Sequence, residues 1–123
     1  MVAADTSTFL AYLKIQSGGE RLIAPIRANE LLLPPVAIAE LLSDPALTTR
    51  EWEQIAATPM VNLLEGYWAR AGRLRALVLS KGHKAAFADA LIAQSCIDID
   101  IPLITLDRDF RHFVRYGGLR LAD

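Results

Sequence analysis

Three short apolar runs, each closed at once by an acid or a proline, constrain this chain most: Val2-Ala3-Ala4, Leu31-Leu32-Leu33 and Leu103-Ile104-Thr105-Leu106. Runs of this length are too brief for helices and lack the alternation of a half-solvated strand. They suit strands covered on both faces, as in parallel sheets. Segments of helical length lie between them. The spacing predicts helices over residues 6–14, capped by Thr6 or Ser7, over 20–29 with Pro25 kinking or splitting the helix, and over 36–43 behind Pro34-Pro35. Further helices are expected over 48–57, 65–80, 85–98 and 108–115, with a short extended piece at 61–64 and a last strand at 119–121. Residues 85–98 are apolar nearly all round, which marks a central helix. Gln16-Ser17-Gly18-Gly19 is a loop. The fold class is therefore α/β, a single domain over residues 1–123 with a short, mainly parallel central sheet flanked by helices.

Several classes are excluded early. Prolines and charges interrupt every apolar run before the roughly 18–20 residues of a membrane span, and Asp5 arrives too early for a signal-peptide core, so a cytoplasmic protein is expected. The lone Cys96 falls on an apolar helix face as a core thiol, and no Cys/His spacing of the zinc kind occurs. An apolar fraction of 53% is high for one small domain, so surplus apolar surface should meet a partner or a second copy.

Four carboxylates stand at the edge or middle of apolar segments: Asp5 after the first strand, Asp107 after the third, Glu40 within Val36-Ala37-Ile38-Ala39-Glu40-Leu41-Leu42, and Asp89 within Ala85–Ala93. Buried carboxylates need a cationic partner. No lysine or arginine lies close in sequence to Glu40, and the base nearest Asp89 is Lys84. Asp5 and Asp107 each have an alternative role as helix caps; Glu40 and Asp89, read as mid-helix acids, do not. A metal ion shared by several acids is the economical account, and oxygen donors select Mg²⁺ or Mn²⁺. Asp109 is a further candidate beside Asp107, and Thr6, Ser7 and Thr105 are auxiliary hydroxyls next to the acids. Net charge is only −1, yet bases cluster around the acids: Arg70, Arg73, Arg75, Lys81 and Lys84 before Asp89, and Arg108, Arg111, Arg115 and Arg120 after Asp107. Bases flanking an acidic centre suit a polyanionic substrate, and Arg70, Arg73, Lys81, Lys84 and Arg108 are the candidate contacts. Ordinary solvated helix faces explain the same pattern equally well.

These blocks together resemble a known family. Asp5-Thr6-Ser7-Thr8-Phe9 looks like the opening of a PIN domain, and Leu33-Pro34-Pro35-Val36 through Ala39-Glu40-Leu41-Leu42 like the turn and helix carrying that family's glutamate. Ala88-Asp89-Ala90-Leu91-Ile92-Ala93 is similar to its third acidic block and Thr105-Leu106-Asp107-Arg108-Asp109-Phe110 to its last. The blocks occur in order over essentially the whole chain, and within the family the VapC-type toxins of toxin–antitoxin pairs look nearest. The resemblance implies a PIN-like three-layer sandwich and a Mg²⁺- or Mn²⁺-dependent endoribonuclease whose catalytic quartet is Asp5, Glu40, Asp89 and Asp107. Of these, Asp5, Asp89 and Asp107 would hold the metal. It also implies an RNA substrate, an antitoxin whose C-terminal segment enters the cleft, and a homodimer. Replacing Asp5 or Asp89 with Asn is expected to abolish cleavage while leaving folding intact or improved.

Three other classes compete. A catalytically silent PIN-like module that binds RNA or protein would not need the full set of acids. A response-regulator domain needs a paired acid after the first strand and a lysine at a late strand end, where this chain has Thr105-Leu106-Asp107. A haloacid-dehalogenase-like phosphatase needs a second acid two residues after Asp5, where Ser7 stands.

Overall fold

The computed structural model describes residues 1–122. Three short strands, β1 (Val2–Ala4), β2 (Leu31–Leu32) and β3 (Leu103–Ile104), form one parallel sheet in the order β2-β1-β3. Val2 pairs with Leu31 and Ala3 with Leu32, while on the other side Ala3 pairs with Leu103 and Ala4 with Ile104. Single bridges, Leu33 to Met60 and Leu103 to Leu121, take the place of the expected extended piece at 61–64 and the last strand at 119–121.

The period-two alternation of these strands divides the core in two. Ala3, Leu32 and Leu103 face a cluster built by α5 (Tyr67–Ser80), α6 (Phe87–Asp98) and α7 (Arg111–Gly117), with Val78, Ile92, Cys96 and Phe113 at its centre. Val2, Ala4, Leu31, Leu33 and Ile104 face the opposite cluster, with Phe9 of α1 (Thr6–Leu13), Leu41 of α3 (Pro35–Leu42) and Ile55 of α4 (Thr49–Ala56). The result is the expected three-layer α/β sandwich. Helix α6 buries every residue from Ala90 to Cys96, as an all-round apolar helix must. Burial pushes the Cys96 thiol up to about 12, so it is an inert core group.

Several boundaries differ from expectation for identifiable reasons. The segment expected as a helix over 20–29, kinked or split at Pro25, is split two residues earlier into a 3₁₀ turn (Gly19–Leu22) and α2 (Ile23–Arg27). Pro25 thereby falls in a first turn, where its missing N–H costs nothing. Helix α5 starts at Tyr67 rather than residue 65 because Gly66 adopts φ +82°. Helix α6 starts at Phe87 rather than residue 85 because Ala86 is extended. Strand β3 stops at Ile104 because the Thr105 hydroxyl accepts the Asp107 N–H and turns the chain. Before the turn at Gly19, a Cβ on that residue would collide with the backbone of Ala11 and Tyr12, so only glycine lets this loop close on α1. Among the described residues, no helix is long and apolar enough to cross a membrane.

Candidate active site

The order β2-β1-β3 makes β1 the strand from which the chain leaves first to one side and later to the other. The crevice beyond the carboxyl ends of β1 and β3 is therefore the topological switch point, where open α/β sheets place their ligands. Asp5 follows β1 directly and Thr105-Leu106-Asp107 follows β3.

Asp5 is 3% exposed and is the most heavily bonded acid of the group. Its Oδ1 accepts the Thr8 N–H at 3.0 Å and the Thr8 hydroxyl at 2.6 Å. Its Oδ2 accepts the Ser7 hydroxyl at 2.9 Å and the Thr105 hydroxyl at 2.6 Å. Asp5, not Thr6 or Ser7, is thus the N-cap of α1, because its side chain reaches the N–H three residues on. Thr105 completes a relay: its hydroxyl donates to Asp5 and accepts from the Asp107 backbone, tying the end of β3 to the end of β1. Thr8 is wholly buried and supplies two of the four bonds, yet it attracts no attention in the sequence. The signal available was its position three residues after an acid at a helix start.

The remaining acids stand differently. Glu40 is exposed rather than buried, and its Oε1 accepts the Thr6 hydroxyl at 2.6 Å, joining α3 to α1. A helix only eight residues long has a solvated face even when its sequence is mostly apolar. Asp107 caps the 3₁₀ turn Arg108–Phe110 by accepting the Asp109 N–H at 2.9 Å. Asp109 itself is exposed. Asp89 is half-buried in the first turn of α6, not mid-helix, since α6 starts two residues later than the pattern suggests. A first-turn carboxylate complements the unpaired N–H groups of a helix start. Its carboxyl is nevertheless pushed up to about 6, by burial first and then by the charges of Asp107, Asp5, Glu40 and Asp109. All five acids therefore share one electrostatic neighbourhood.

Among the described residues, no three acid, imidazole or thiol side chains are already disposed to share one ion. The donor chemistry still fits a hard divalent cation. Every donor is a carboxylate or hydroxyl oxygen, and a cation would relieve both the burial and the neighbouring charges that raise Asp89.

The expected basic contacts separate into two groups. Arg73, Lys81, Lys84 and Arg108 are exposed or nearly so. Arg70 is committed elsewhere: its guanidinium holds Asp98 through two bonds, Nε–Oδ1 at 2.9 Å and Nη2–Oδ2 at 2.7 Å, at the end of α6 remote from Asp89. Gln94 joins that pair rather than the cleft, donating to Asp98 at 2.8 Å.

A parallel α/β sandwich with an acid-lined switch point defines the class, and comparison with known proteins narrows it. The PIN domain family model matches residues 2–116, and the chain belongs to that family. No curated protein sequence matches it significantly. Its fold is similar to a VapBC2 complex from Rickettsia felis bound to a promoter DNA fragment, with a TM-score of 0.73 and 20% identity over 99% of this chain and 98% of that one. It is also similar to VapBC-5 from Mycobacterium tuberculosis, a member of a family of toxin–antitoxin systems (TM-score 0.70, 24% identity, 98% and 94% covered). A third similar structure is FitAcB from Neisseria gonorrhoeae (TM-score 0.68, 17% identity, 100% and 97% covered).

Proposed function

We propose that this chain is the toxin of a toxin–antitoxin pair, an endoribonuclease dependent on Mg²⁺ or Mn²⁺. The observation that carries the reading is the meeting of Asp5 and the Thr105-Leu106-Asp107 turn at the switch point, tied by the Thr105 hydroxyl, in a chain of the PIN domain family. Toxin–antitoxin complexes among the similar folds support the biological setting.

Asp5, Asp89 and Asp107 would hold the cation. When bound, it supplies Lewis acidity toward a phosphodiester oxygen and neutralises the crowded acids. The chain's own residues do the rest. Ser7, Thr8 and Thr105 hold both Asp5 oxygens, so that carboxylate keeps one orientation as RNA arrives. Asp89, close to half-protonated near pH 6, gives up its proton when positive charge enters. Glu40, exposed and steadied by Thr6, is the group free to take a proton from an attacking water. Water attack would leave a 5′-phosphate and a 3′-hydroxyl. Arg73, Lys81, Lys84 and Arg108 would draw the RNA backbone toward these acids.

An antitoxin is the proposed partner. A cleft of about 940 Å³ bordered by Tyr12, Ile15, Ile23, Ile26 and Gln54 offers it apolar surface. Exposed Leu64 and Trp68 offer similar surface to a second copy in a homodimer. The test is cleavage of total cellular RNA by wild type and Asp89→Asn with Mg²⁺, Mn²⁺ or EDTA. Discrete products from wild type with metal alone support the reading and reveal the substrate on end-mapping. No cleavage, together with no calorimetric metal binding, would establish the alternative of a catalytically silent RNA- or protein-binding module.

A further inference from the structure

The connection between α5 and α6 lays His83 against His112 of α7. The two imidazoles stack with 4.2 Å between centroids and 15° between planes. The Tyr116 hydroxyl lies 3.3 Å from His83 Nε2, and the Arg115 guanidinium stands 5.2 Å over the Tyr116 ring. Tyr116 packs against the core cluster beneath α7, but core packing does not account for the two histidines, which stay half-buried.

The charges around it are one-sided. Helix α7 contributes Arg111 and Arg115, and the connection contributes Lys81 and Lys84, all exposed. Helix α5 brings Arg75, which donates to the Ala85 carbonyl. The 3₁₀ turn before α7 carries Arg108 and Asp109, and the charges that act on His83 are those of His112, Arg115 and Arg111. Among the described residues, no ion pair involves His83, His112, Arg111, Arg115, Lys81 or Lys84. Stacked imidazoles at this distance resist carrying two positive charges unless an anion joins them. His83 accordingly sits below the ordinary histidine range, through burial first and then through His112, Arg115 and Arg111.

We propose that His83, His112, Tyr116, Arg111 and Arg115 form a phosphate-binding rim that grips the backbone of single-stranded RNA beside the acidic site. The inference rests on the nuclease reading for the identity of the strand. Chain connectivity supplies the adjacency: Asp89 follows His83 by six residues and Arg111 follows Asp109 by two. Half-buried aromatic rings among cations favour a nucleic acid over an acidic peptide, since single strands bind by combining phosphate contacts with stacking. Phosphate binding stabilises the imidazolium form. Binding therefore takes up a proton, and RNA affinity rises as pH falls.

The test is fluorescence anisotropy with a labelled single-stranded RNA of about 20 nucleotides, in EDTA and on the Asp89→Asn background so that no strand is cut. With the rim intact, affinity should be roughly 10-fold tighter at pH 6 than at pH 8. The pair His83→Gln with His112→Gln should flatten that dependence and weaken binding at pH 6 by a similar factor. The pair Arg111→Gln with Arg115→Gln should weaken binding at both pH values and lower the salt slope by about two. Thermal melts establish which variants fold, and the arginine pair, being exposed, carries the test if the histidine pair does not. Unchanged affinity and pH dependence in folded variants would overturn the rim, as would equal competition by polyglutamate, which would point to an acidic protein instead. Metal-dependent cleavage by the wild type is scored separately, so the nuclease reading and the rim can fail independently.

Discussion

Asp5 and Asp89 are both aspartates at helix starts beside the same crevice, yet their surroundings are opposite. Asp5 is buried and receives four hydrogen bonds, two on each oxygen. Among the described residues, Asp89 receives none, and its carboxyl rises to about 6 under burial and the charges of its neighbours. One carboxylate is anchored by its neighbours; the other is left with its charge uncompensated. The crevice thus pairs a fixed point of geometry with one group whose protonation responds to the charge around it.

The comparison breaks most visibly at its anchored end. Asp5→Asn should abolish metal-dependent cleavage and, against the simpler sequence expectation, also destabilise the fold. An amide keeps an acceptor for the Thr8 N–H but presents N–H donors where the Ser7 and Thr105 hydroxyls now donate. A loss of about 1–2 kcal/mol is expected, read from urea melts in EDTA. A variant as stable as wild type would show that the four bonds do not hold the junction of β1 and β3.

At the responsive end the sign reverses. Asp89→Asn should lower cleavage by roughly 10²–10⁴-fold while stabilising the metal-free protein. The raised folded-state value means that between about pH 4 and pH 6 the native state binds more protons than the unfolded chain. Stability of the wild type in EDTA therefore falls as pH rises through that window and stays reduced above it. The Asn variant lacks this penalty. Discounted for partial exposure, its advantage should be about 1–2 kcal/mol at pH 8 and vanish near pH 4. Paired melts at the two pH values decide it, and a constant difference would sink the assignment.

How much of this contrast was legible beforehand depends on which physical property is asked about. The three apolar runs and their closing residues sufficed for a parallel sheet, and both Asp5 and Asp107 could be placed at strand ends, because those features are local in the chain. Burial was not local. Glu40 sits among apolar residues in sequence but on the solvated side of a short helix. Asp89 reads as mid-helix in the sequence, but the extended backbone at Ala86, which no apolar pattern marks, moves the start of α6. Apolar periodicity likewise does not record the Arg70–Asp98 pair or the bonds of Thr8, whose one local signal is its place three residues after Asp5.

A smaller effect sharpens the comparison by testing the link between the two ends. Thr105→Val keeps the shape of the side chain but removes the donor to Asp5 and the acceptor for the Asp107 N–H. Asp5 would retain three of its bonds and its cap, so the cost in stability should be near 1 kcal/mol. The effect on function should be larger in proportion. Asp5 and Asp107 lose the side chain that fixes one relative to the other, and loss of such a supporting contact typically weakens metal affinity or activity about 10–100-fold. Mn²⁺ titration by electron paramagnetic resonance reads affinity directly, without reference to any RNA. Weakened Mn²⁺ binding with nearly unchanged melting would show that Thr105 acts on the site through position. Equal losses in both would mean that the hydroxyl serves the fold, and that Asp5 is anchored by α1 alone.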